Sequence, residues 1–593
     1  FIPLGEIKGT MFNENKVYSL RTPFGDFKNS TGHAVSYNIQ EEGFCGISIF
    51  NQDKGIQGMH VAGSEVRNLG VAILWSKEVK AEIKNILESH TFYLPYEMKK
   101  TTTPNESLVE LDAEVHSSIP TGTNFGKSNL YGIFSVDREP ANLQKYGLKT
   151  VEKVMKKSTS PCVIQDTREM DFAMDVLRAT IMKKFKPITY EKVVKGTDLL
   201  AGLNPKSSNG YKFSKEKSDY IDFIKGLPTP LMVELIETFI KEIEVEGIIN
   251  HEILMWIETL KDEIRNMEKN GEPRSFRNGT IVQQFLMKMF FGEFVENIIK
   301  NRHSNEIMIG CNPIVEWPEM YDRIENSKGC FAGDVAKWDG SMLGQVQARV
   351  ADLIWEYYDG PYQQTARVLL NTLVHSLVIV KNKLYLTTHS MPSGSFLTAI
   401  FNSIVNRFYT AMWYHRCMTG AGFPARVSDF SDIVVDYVYG DDKLNAVSAH
   451  TDILNAITMR DFFLSCGMDF TDAKKNRITT PFQRLDELSF LKRSFVYHNI
   501  LKRVVCPLEL KTLQSGLSYR DYSKDESLVM REKIGNYQRE IYLHPDRAEL
   551  LSDFTERLNC RGVKFDELSQ DYLYFIYMNE PDRCLSNYKQ RYD

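Results

Sequence analysis

Residues 434–447 have the sequence Val434-Val435-Asp436-Tyr437-Val438-Tyr439-Gly440-Asp441-Asp442-Lys443-Leu444-Asn445-Ala446-Val447, two β-prone arms around a short polar turn. This pattern predicts a β-hairpin that carries Asp441 and Asp442 at its tip. Two ionised carboxylates about 4 Å apart repel each other by about 4 kcal/mol at an effective dielectric of about 20, so their proximity requires a compensating cation. Carboxylate oxygens favour a divalent ion such as Mg²⁺. For a Gly-Asp-Asp taken alone, a solvated turn is the alternative.

The composition is that of an ordinary globular protein with several domains. Its 593 residues are 42% hydrophobic and 25% charged, and the formal net charge is −5, so bulk charge does not indicate a nucleic-acid partner and any such site must be a local basic channel. Nine scattered cysteines without a C-x-x-C pair argue against a disulfide framework or a zinc site and fit a reducing compartment. We expect a soluble chain without a signal peptide or a membrane span of its own.

The chain changes texture along its length. The first part is glycine-rich with short β-like runs, which is typical of a small barrel, and a polar, turn-rich stretch follows it. Helical patterns then dominate, including 232–267, before β-like runs cluster between 330 and 500. Helical periodicity returns near the end. We therefore predict a β-barrel portion over 1–88, a linker over 89–112, a large unit over 113–504 and a helical unit over 505–593.

A second acidic strand precedes the hairpin by about a hundred residues. The β-like run Cys330-Phe331-Ala332-Gly333-Asp334 is followed five residues later by Asp339. One carboxylate here together with the pair at 441 and 442 can hold two cations, and two metals about 4 Å apart can clamp an in-line phosphoryl displacement. For Asp339, capping of a helix after Trp338 is the alternative.

Two further segments carry polar groups suited to a nucleotide. A glycine-bearing turn opens a helix in 391–403, where Ser393 and Asn402 supply a hydroxyl and an amide that can bond a ribose hydroxyl. A capping serine and a buried asparagine are the alternative. Clustered cations of the kind that match a triphosphate occur earlier in the chain, although an amphipathic helix with a solvated face would also explain them. These cations are Lys261, Arg265, Lys269, Arg274 and Arg277.

Taken in order, these motifs resemble those of RNA-dependent RNA polymerases of positive-strand viruses in the picornavirus order. A given tetrapeptide such as Tyr-Gly-Asp-Asp should occur by chance in roughly one chain of this length in a few hundred, and the ordered set far less often. The set is Asp334-x₄-Asp339, Ser393-Gly394-x₃-Thr398-x₃-Asn402, Tyr439-Gly440-Asp441-Asp442 and Phe490-Leu491-Lys492-Arg493. The resemblance implies an α+β right-hand polymerase, with fingers largely before 330 and again over 345–390, a palm that carries the acidic strands, and a helical thumb after about 505.

The resemblance also implies a role for each matching residue. Asp334 and Asp441 would be the principal metal ligands, with Asp442 assisting. The other roles are ribose selection by Asp339, Ser393 and Asn402, and triphosphate binding by Lys261, Arg265, Lys269 and Arg274. Template entrance falls to Ser207, Ser208, Gly210 and Tyr211, and primer grip to Phe490, Leu491, Lys492 and Arg493. Lys475, with Lys474 as the alternative, would protonate departing pyrophosphate. Relatives usually carry aliphatic residues where this chain has Ser275-Phe276-Arg277, so contacts beyond Arg274 do not follow from the match.

Cofactors and partners follow from the same resemblance. The expected cofactors are two Mg²⁺ ions, with Mn²⁺ as a substitute. The expected partners are an RNA template and primer, nucleoside triphosphates, a small protein primer and other viral replication proteins. We expect the chain in the host cell cytoplasm, at membrane-associated replication complexes that it reaches through its partners.

The N-terminal part resembles the second barrel of the chymotrypsin-like cysteine proteases that neighbour these polymerases in viral polyproteins. Glycines flank Cys45, the nucleophile position, and His60 would line the substrate pocket. A cysteine nucleophile needs a base, but the only histidine upstream is His33, and no earlier residues match the first barrel, which carries the catalytic His and acid in that family. We therefore predict the tail of a protease within a protease-polymerase precursor, with weak or no proteolysis. A small β module with an inert buried cysteine is the alternative.

Three other functions are compatible with parts of the pattern. A two-metal nuclease could use the same carboxylates but would not need ribose-selecting groups or a triphosphate-sized basic strip. A non-catalytic RNA-binding scaffold would tolerate the loss of Asp334, and its affinity would fall with salt. A protease with an appended binding module would need the base that is missing beside Cys45. The polymerase is the function that uses all of the motifs.

Overall fold

The structure is a computed structural model. For the first 107 residues it describes only the backbone of five strands; beyond them it describes residues 108–118, 122–143, 167–179, 184–269, 273–387 and 389–581. The chain divides into two compact units, the first containing the five N-terminal strands and the second containing the rest of the described strands and helices. Each unit is described separately below.

The first unit contains an antiparallel sheet with the strand order β1-β2-β5-β4-β3. Its strands are β1 (Thr10–Thr22), β2 (Gly25–Tyr37), β3 (Ser48–Asn51), β4 (Gly55–Ser64) and β5 (Leu69–Leu74). Cys45 lies outside the described residues, and His60 lies in β4 with its side chain undescribed. The protease-like barrel therefore stays a prediction.

The strands of the second unit form one five-stranded sheet, one four-stranded sheet and several two-stranded ribbons among the described residues. They are β6 (Leu108–Leu111), β7 (Phe125–Lys127), β8 (Arg138–Pro140), β9 (Ile221–Asp222), β10 (Leu227–Pro228), β11 (Trp256–Leu260), β12 (Ile264–Asn266), β13 (Ser275–Asn278), β14 (Gly329–Val335), β15 (Leu377–Val380), β16 (Lys383–Thr387), β17 (Val434–Tyr439), β18 (Asp442–Val447), β19 (Phe470–Thr471), β20 (Ser489–Phe490), β21 (Arg493–Ser494), β22 (Val496–His498), β23 (Arg503–Val505) and β24 (Tyr519–Asp521).

Helices surround these sheets. They are α1 (Thr167–Arg178), α2 (Tyr190–Lys195), α3 (Pro230–Lys241), α4 (Ile281–Lys300), α5 (Arg302–Asn305), α6 (Pro313–Glu325), α7 (Trp338–Ser341), α8 (Gly344–Trp355), α9 (Gly360–Val374), α10 (Thr398–Gly420), α11 (Val427–Ile433), α12 (Ala456–Ser465), α13 (Leu510–Ser518), α14 (Glu526–Tyr542), α15 (Arg547–Cys560) and α16 (Gln570–Asn579). Within the described ranges, none of the helices combines the length and the apolar character needed to cross a lipid bilayer.

The sheet predicted as the palm is antiparallel, with the order β17-β18-β14-β19. One face of it packs on a core that includes Trp317, Phe490 and Tyr577. Helix α10 packs against β17, and most of its side chains are buried. The acidic hairpin therefore lies between a helix and a large apolar core, which leaves its turn as the part that can face a substrate.

The sheet predicted for the fingers has the order β13-β11-β15-β16-β6, and the pairing of β11 with β15 is parallel. Two predictions were wrong here. The predicted linker ends too late, because β6 already pairs with β16. The helix predicted over 232–267 ends at Lys241, apart from one π-helical turn, and β11 follows because its partners in β13 and β15 outweigh local helix propensity.

The thumb core includes residues from far upstream. Strand β7 pairs with β24, and Leu130, Ile133 and Phe134 pack with Tyr537 and Phe554 of helices α14 and α15. The segment after β7, which belongs to the predicted fingers, therefore packs directly against the predicted thumb.

Candidate active site

The acidic turn has the hairpin geometry that the sequence predicts. Strands β17 and β18 pair from Val434 and Val447 to Tyr439 and Asp442, which leaves a two-residue connection. Gly440 has φ +65°, and a positive φ at the first turn position is typical of type II′ hairpins, where glycine is favoured. The turn presents two consecutive carboxylates at the edge of the palm sheet.

The register of the palm sheet brings the three predicted metal ligands together. Asp334 in β14 lies directly opposite Asp442 in β18, and Asp441 is the neighbouring residue in the turn. Antiparallel partners lie about 4.5–5.5 Å apart at Cα. The register therefore sets residues that are about a hundred positions apart in sequence side by side on neighbouring strands, next to the turn.

Burial makes this concentration of negative charge costly. Burial and the Asp441 charge together raise the pKa of Asp442 to about 6, although the charge of Lys492 opposes them. Burial likewise raises the pKa of Asp441, with a further contribution from Asp339 against the opposing charge of Arg274. The protein's own cations thus leave the two turn carboxylates incompletely compensated, as expected for acids that bind a further cation.

Lys475 supplies a positive charge at this site. Its ammonium bonds the Asp334 carboxylate, its backbone is left-handed with φ +66°, and its pKa is lowered by burial and by Lys269 and Lys492. Both Lys474 and Lys475 are exposed, but the ion pair with Asp334 is made by Lys475, so the structure brings Lys475 to the acids.

The donor chemistry of the site fits a divalent ion. In the described part of the chain, no three His, Cys, Asp or Glu side chains are arranged as a ready metal site, and the Lys475 ammonium lies on Asp334. The carboxylate oxygens of Asp334, Asp441 and Asp442 are nevertheless the hard ligands that Mg²⁺ and Mn²⁺ prefer. A bound ammonium and two raised carboxyl pKa values are both consistent with a site that attracts cations.

The three residues predicted for ribose selection form one cluster. Asn402 Nδ2 donates to Asp339 Oδ1 over 2.7 Å, and Ser393 also bonds this carboxylate. Burial raises the pKa of Asp339 above its usual range, although these bonds and the charges of Arg277 and Arg274 partly offset the effect. The alternative role for Asp339 was wrong, because Lys337 occupies the N-cap position of α7.

The loop that carries Ser393 packs closely on the fingers. A Cβ at Gly394 would lie 2.1 Å from the carbonyl oxygen of Arg277, so only glycine fits there. The Arg277 guanidinium is buried and bonds Glu258 and Ser390, each over 2.8 Å. Arg277 thus supports the loop from inside the protein.

Three of the four predicted triphosphate-binding cations converge on one carboxylate that the sequence did not single out. Arg274 Nε donates to Glu263 over 2.6 Å, and Lys261 and Arg265 lie 3.6 and 3.7 Å from the same side chain. Burial would raise the pKa of Glu263, but these cations lower it below its usual value. The stretch is not an amphipathic helix; it comprises β12, a 3₁₀ turn that ends at Lys269, and β13.

These cations border on the acids. The Arg274 charge acts on both Asp339 and Asp441, and Lys269 acts on Lys475. The predicted triphosphate strip, the ribose cluster and the acidic turn therefore occupy one continuous site.

The predicted template-entrance loop lies beside the loop that carries Ser393 and Gly394. Ser207 lines a cavity of about 470 Å³ together with Gly394 and Ser395. Gly210 has φ +81°, and a Cβ there would come within 2.5 Å of Thr280 Cα. The exposed Ser208 and the half-buried Tyr211 lie on the same loop. The buried Lys217 donates to Ser207, which no local pattern in the sequence predicted.

The predicted primer grip was wrong for two of its residues. Leu491 and Lys492, with φ +53° and +60°, form the tip of the β20–β21 hairpin. Phe490 is buried against Trp317, and Arg493 is buried in an ion pair with Glu540 at 2.7 Å. Phe490 and Arg493 therefore anchor the hairpin, and only its tip can reach a primer.

A buried charge network lies beneath the acidic turn. Lys443 Nζ bonds Asp436 Oδ1 at 3.0 Å, and Arg407 bonds Glu306 at 2.7 Å while also donating to the Asp436 carbonyl. Our sequence analysis missed this network. Its signal was the presence of Asp436 and Lys443 inside otherwise apolar strand arms.

The chain is similar in sequence to known proteins. Residues 135–557 match the family model described as viral RNA-dependent RNA polymerase. The chain is 25% identical to the replicase polyprotein of Drosophila C virus, over 85% of the chain and 32% of the polyprotein. It is 26% identical to that of cricket paralysis virus, over 93% and 35% respectively. The chain thus spans about a third of the length of these relatives.

The structure also resembles a solved polymerase. It aligns with the Sicinivirus 3Dpol RNA-dependent RNA polymerase with a TM-score of 0.65 and 18% identity, over 80% of this chain and 98% of the other. The likeness identifies the right-hand polymerase fold.

Proposed function

The chain belongs to the viral RNA-dependent RNA polymerase family, and from this premise we propose that it catalyses RNA-templated addition of ribonucleotides to an RNA 3′ hydroxyl, with release of pyrophosphate. The observation that carries the proposal is the register that pairs Asp334 with Asp442. Two-metal nucleotidyl transfer uses carboxylates that hold two ions close together, and a register that sets Asp334 opposite Asp442, next to Asp441, supports this use.

We assign Asp334, Asp441 and Asp442 as ligands of two divalent ions, either Mg²⁺ or Mn²⁺. When bound, such ions stabilise charge on the attacking and departing oxygens. The protein's part is to hold the carboxylates together against their mutual repulsion, which the paired strands and the buried surroundings of the turn support.

The ribose cluster suits recognition of a ribonucleotide. Asn402 Oδ1 is buried and has no hydrogen-bond partner among the described residues, although its amide donates to Asp339. A ribose hydroxyl could donate to this oxygen, and a buried acceptor without a partner is costly. A deoxyribonucleotide would leave it unpaired, which favours RNA synthesis.

The basic strip suits the triphosphate. Phosphate oxygens would compete with Glu263 for Arg274, Arg265 and Lys261, since guanidinium groups bind phosphate and carboxylate with the same geometry. Glu263 would keep these cations together until a nucleotide arrives. This role is consistent with their distances from its carboxylate.

Lys475 is our candidate for the proton donor to pyrophosphate. Its lowered pKa favours proton transfer near working pH. To act, the ammonium must leave Asp334 and donate a proton from Nζ to the departing oxygen. Leu491 and Lys492 would contact the primer, and Ser207, Ser208 and Tyr211 the template.

The wider setting is implied by the family resemblance of the sequence and is proposed on that basis alone. We propose initiation from a small protein primer, partnership with other viral replication proteins, and action at membrane-associated replication complexes in the host cell cytoplasm. We also propose that residues 1–88 are the tail of the polyprotein-processing cysteine protease. Robust cleavage of a glutamine-containing peptide by the chain alone would contradict the prediction of weak or no proteolysis.

The polymerase proposal is tested with labelled primer on an RNA template, with and without nucleotides. We expect nucleotide-dependent extension by the wild type and none by Asp441→Asn, with RNA binding retained. Trimming without nucleotides would indicate a nuclease, and extension by Asp441→Asn would overturn the metal assignment. Binding without any extension by the wild type would indicate a scaffold.

A further inference from the structure

The acidic turn is held from below by one helix. Gly440 N–H donates to Ser403 Oγ over 2.8 Å, and Asn406 Nδ2 donates to the Gly440 carbonyl over 3.0 Å. Asn406 Nδ2 also lies 3.4 Å from the carbonyl oxygen of Asp441. Helix α10 therefore engages both the donor and the acceptor of Gly440 and the next carbonyl.

The supporting groups are themselves fixed. Ser403 Oγ donates its hydrogen to the Ala399 carbonyl over 2.7 Å, so its lone pairs remain for the Gly440 amide. Ser403 and Asn406 are completely buried and lie three positions apart, on one face of the helix. On the other side, a Cβ at Gly440 would meet nothing within 4 Å. The turn is thus supported from the α10 side.

The same helix also holds the ribose cluster. Asn402, the residue before Ser403, bonds Asp339. Because a helix is rigid over about one turn, the five residues 402–406 fix the positions of both the Asp339 carboxylate and the turn that carries Asp441. A nucleotide transfer site needs such registration, since a misplacement of about 1 Å can cost about a hundredfold in rate.

We propose that Ser403 and Asn406 are positioning residues for nucleotide transfer, which fix the Gly440-Asp441 peptide relative to the ribose-selecting carboxylate Asp339. The inference rests on the proposed function and deepens it. Neither side chain needs to touch a substrate, so their effect should fall on the rate of the chemical step rather than on substrate binding.

The test uses the full chain with primed RNA and the variants Ser403→Ala and Asn406→Leu. Thr419→Ala is the matched control, because Thr419 is on the same helix but is exposed and bonds only helix carbonyls. Each rate is divided by the concentration of the stable protein–RNA complex. Unfolded protein forms no such complex and therefore does not affect the result. We expect kcat to fall about 10–100-fold and the KM for nucleotide to change less than about threefold.

A second readout does not depend on activity. Hydrogen exchange of the peptide that covers 434–447 should be faster in Ser403→Ala, because the Gly440 amide loses its acceptor. Ser403→Cys, which keeps the shape of the side chain but is somewhat larger and is a weak acceptor, should lie between the wild type and Ser403→Ala in both measurements. It also keeps the test decisive if the alanine variant does not fold.

The outcomes distinguish the proposed polymerase function from the positioning role of Ser403 and Asn406. If the wild type does not extend primers, the proposed function fails. If the wild type extends them and both variants keep kcat and the exchange rate within about twofold, the polymerase assignment stands and the positioning role is wrong. A fall in thermal stability with an unchanged rate per bound complex would likewise reduce Ser403 and Asn406 to structural residues.

Discussion

Two hairpins contribute their tips to the candidate active site, and they are built in opposite ways. In the acidic hairpin, formed by β17 and β18, the motif residues Asp441 and Asp442 lie at the tip, and the groups that support them belong to α10. In the basic hairpin, formed by β20 and β21, half of the motif supports the other half. Phe490 and Arg493 are buried in the protein, and only Leu491 and Lys492 form the tip.

A motif match therefore gives the position of a residue and not its role. Both motifs were assigned from the same resemblance, and both lie at the site. In the first, the conspicuous charges of Asp441 and Asp442 lie at the turn; in the second, the conspicuous charge of Arg493 is buried and neutralises Glu540. Four measurements test whether this structural contrast is also a contrast in role.

The largest effect is expected on the acidic side. Asp334→Asn should slow nucleotide incorporation about a thousandfold or more, because a neutral amide is a poor ligand for the ions that stabilise the transition state. RNA affinity should hardly change. The exposed Asp432 offers the control Asp432→Asn. Turnover within about tenfold of the wild type would remove Asp334 from the catalytic set.

The anchor of the basic hairpin should matter for stability instead. Arg493→Met leaves the buried Glu540 carboxylate unpaired, which should lower the free energy of unfolding by about 3–5 kcal/mol in denaturant titrations. The rate per bound RNA complex should stay within about threefold of the wild type. Arg484→Met, which breaks an exposed ion pair with Asp486, should leave stability nearly unchanged. A strong loss of rate without loss of stability would restore Arg493 to the primer grip.

The tip of the basic hairpin should affect RNA binding modestly. Lys492→Met should weaken affinity for primed RNA several-fold and reduce the slope of log affinity against log salt by about one. Lys502→Met is the matched control, because Lys502 is exposed at the tip of the neighbouring β22–β23 hairpin with a similar φ of +53°. Equal effects of the two variants would mean that the β20–β21 tip does not contact RNA.

The smallest effect is expected on the pH dependence of stability. It involves both hairpins, because Lys492 of the basic hairpin opposes the rise in the pKa of Asp442 at the acidic tip. Burial and the Asp441 charge raise the folded pKa of Asp442 to about 6, above its unfolded value near 3.8, so the folded state binds the proton more tightly. The metal-free protein should therefore gain stability from this group as the pH falls from 7 towards 4. Melting temperatures in chelator should show this gain relative to Asp442→Asn. The same slope in both proteins would contradict the raised pKa.

The acidic hairpin could be predicted from local pattern alone, since its arms, glycine and turn are contiguous. The position of Asp334 opposite Asp442 could not, because register depends on which strands pair across a hundred residues. The resemblance supplied that partner, and it also supplied the ribose cluster of Asp339, Ser393 and Asn402.

The errors share one physical cause. Strand β6 looked like linker and β11 like helix, because the strands that pair with them are distant in sequence. Arg493 looked accessible because Glu540 lies 47 residues away. In each of these cases, a long-range partner decided the outcome and left no local signal. Glu263 was passed over for a different reason, because an acid among cations that are close in sequence resembles a solvated surface.

We propose above all that Asp334, Asp441 and Asp442 hold a pair of divalent ions. Electron paramagnetic resonance can detect this pair as Mn²⁺ binds to the complex of the protein with primed RNA and a non-hydrolysable nucleotide. We expect two spin-coupled ions per complex in the wild type, as in sites with ions about 4 Å apart, and loss of the coupling in Asp334→Asn. The same coupled pair in Asp334→Asn, or no coupled pair in the wild type, would contradict the account.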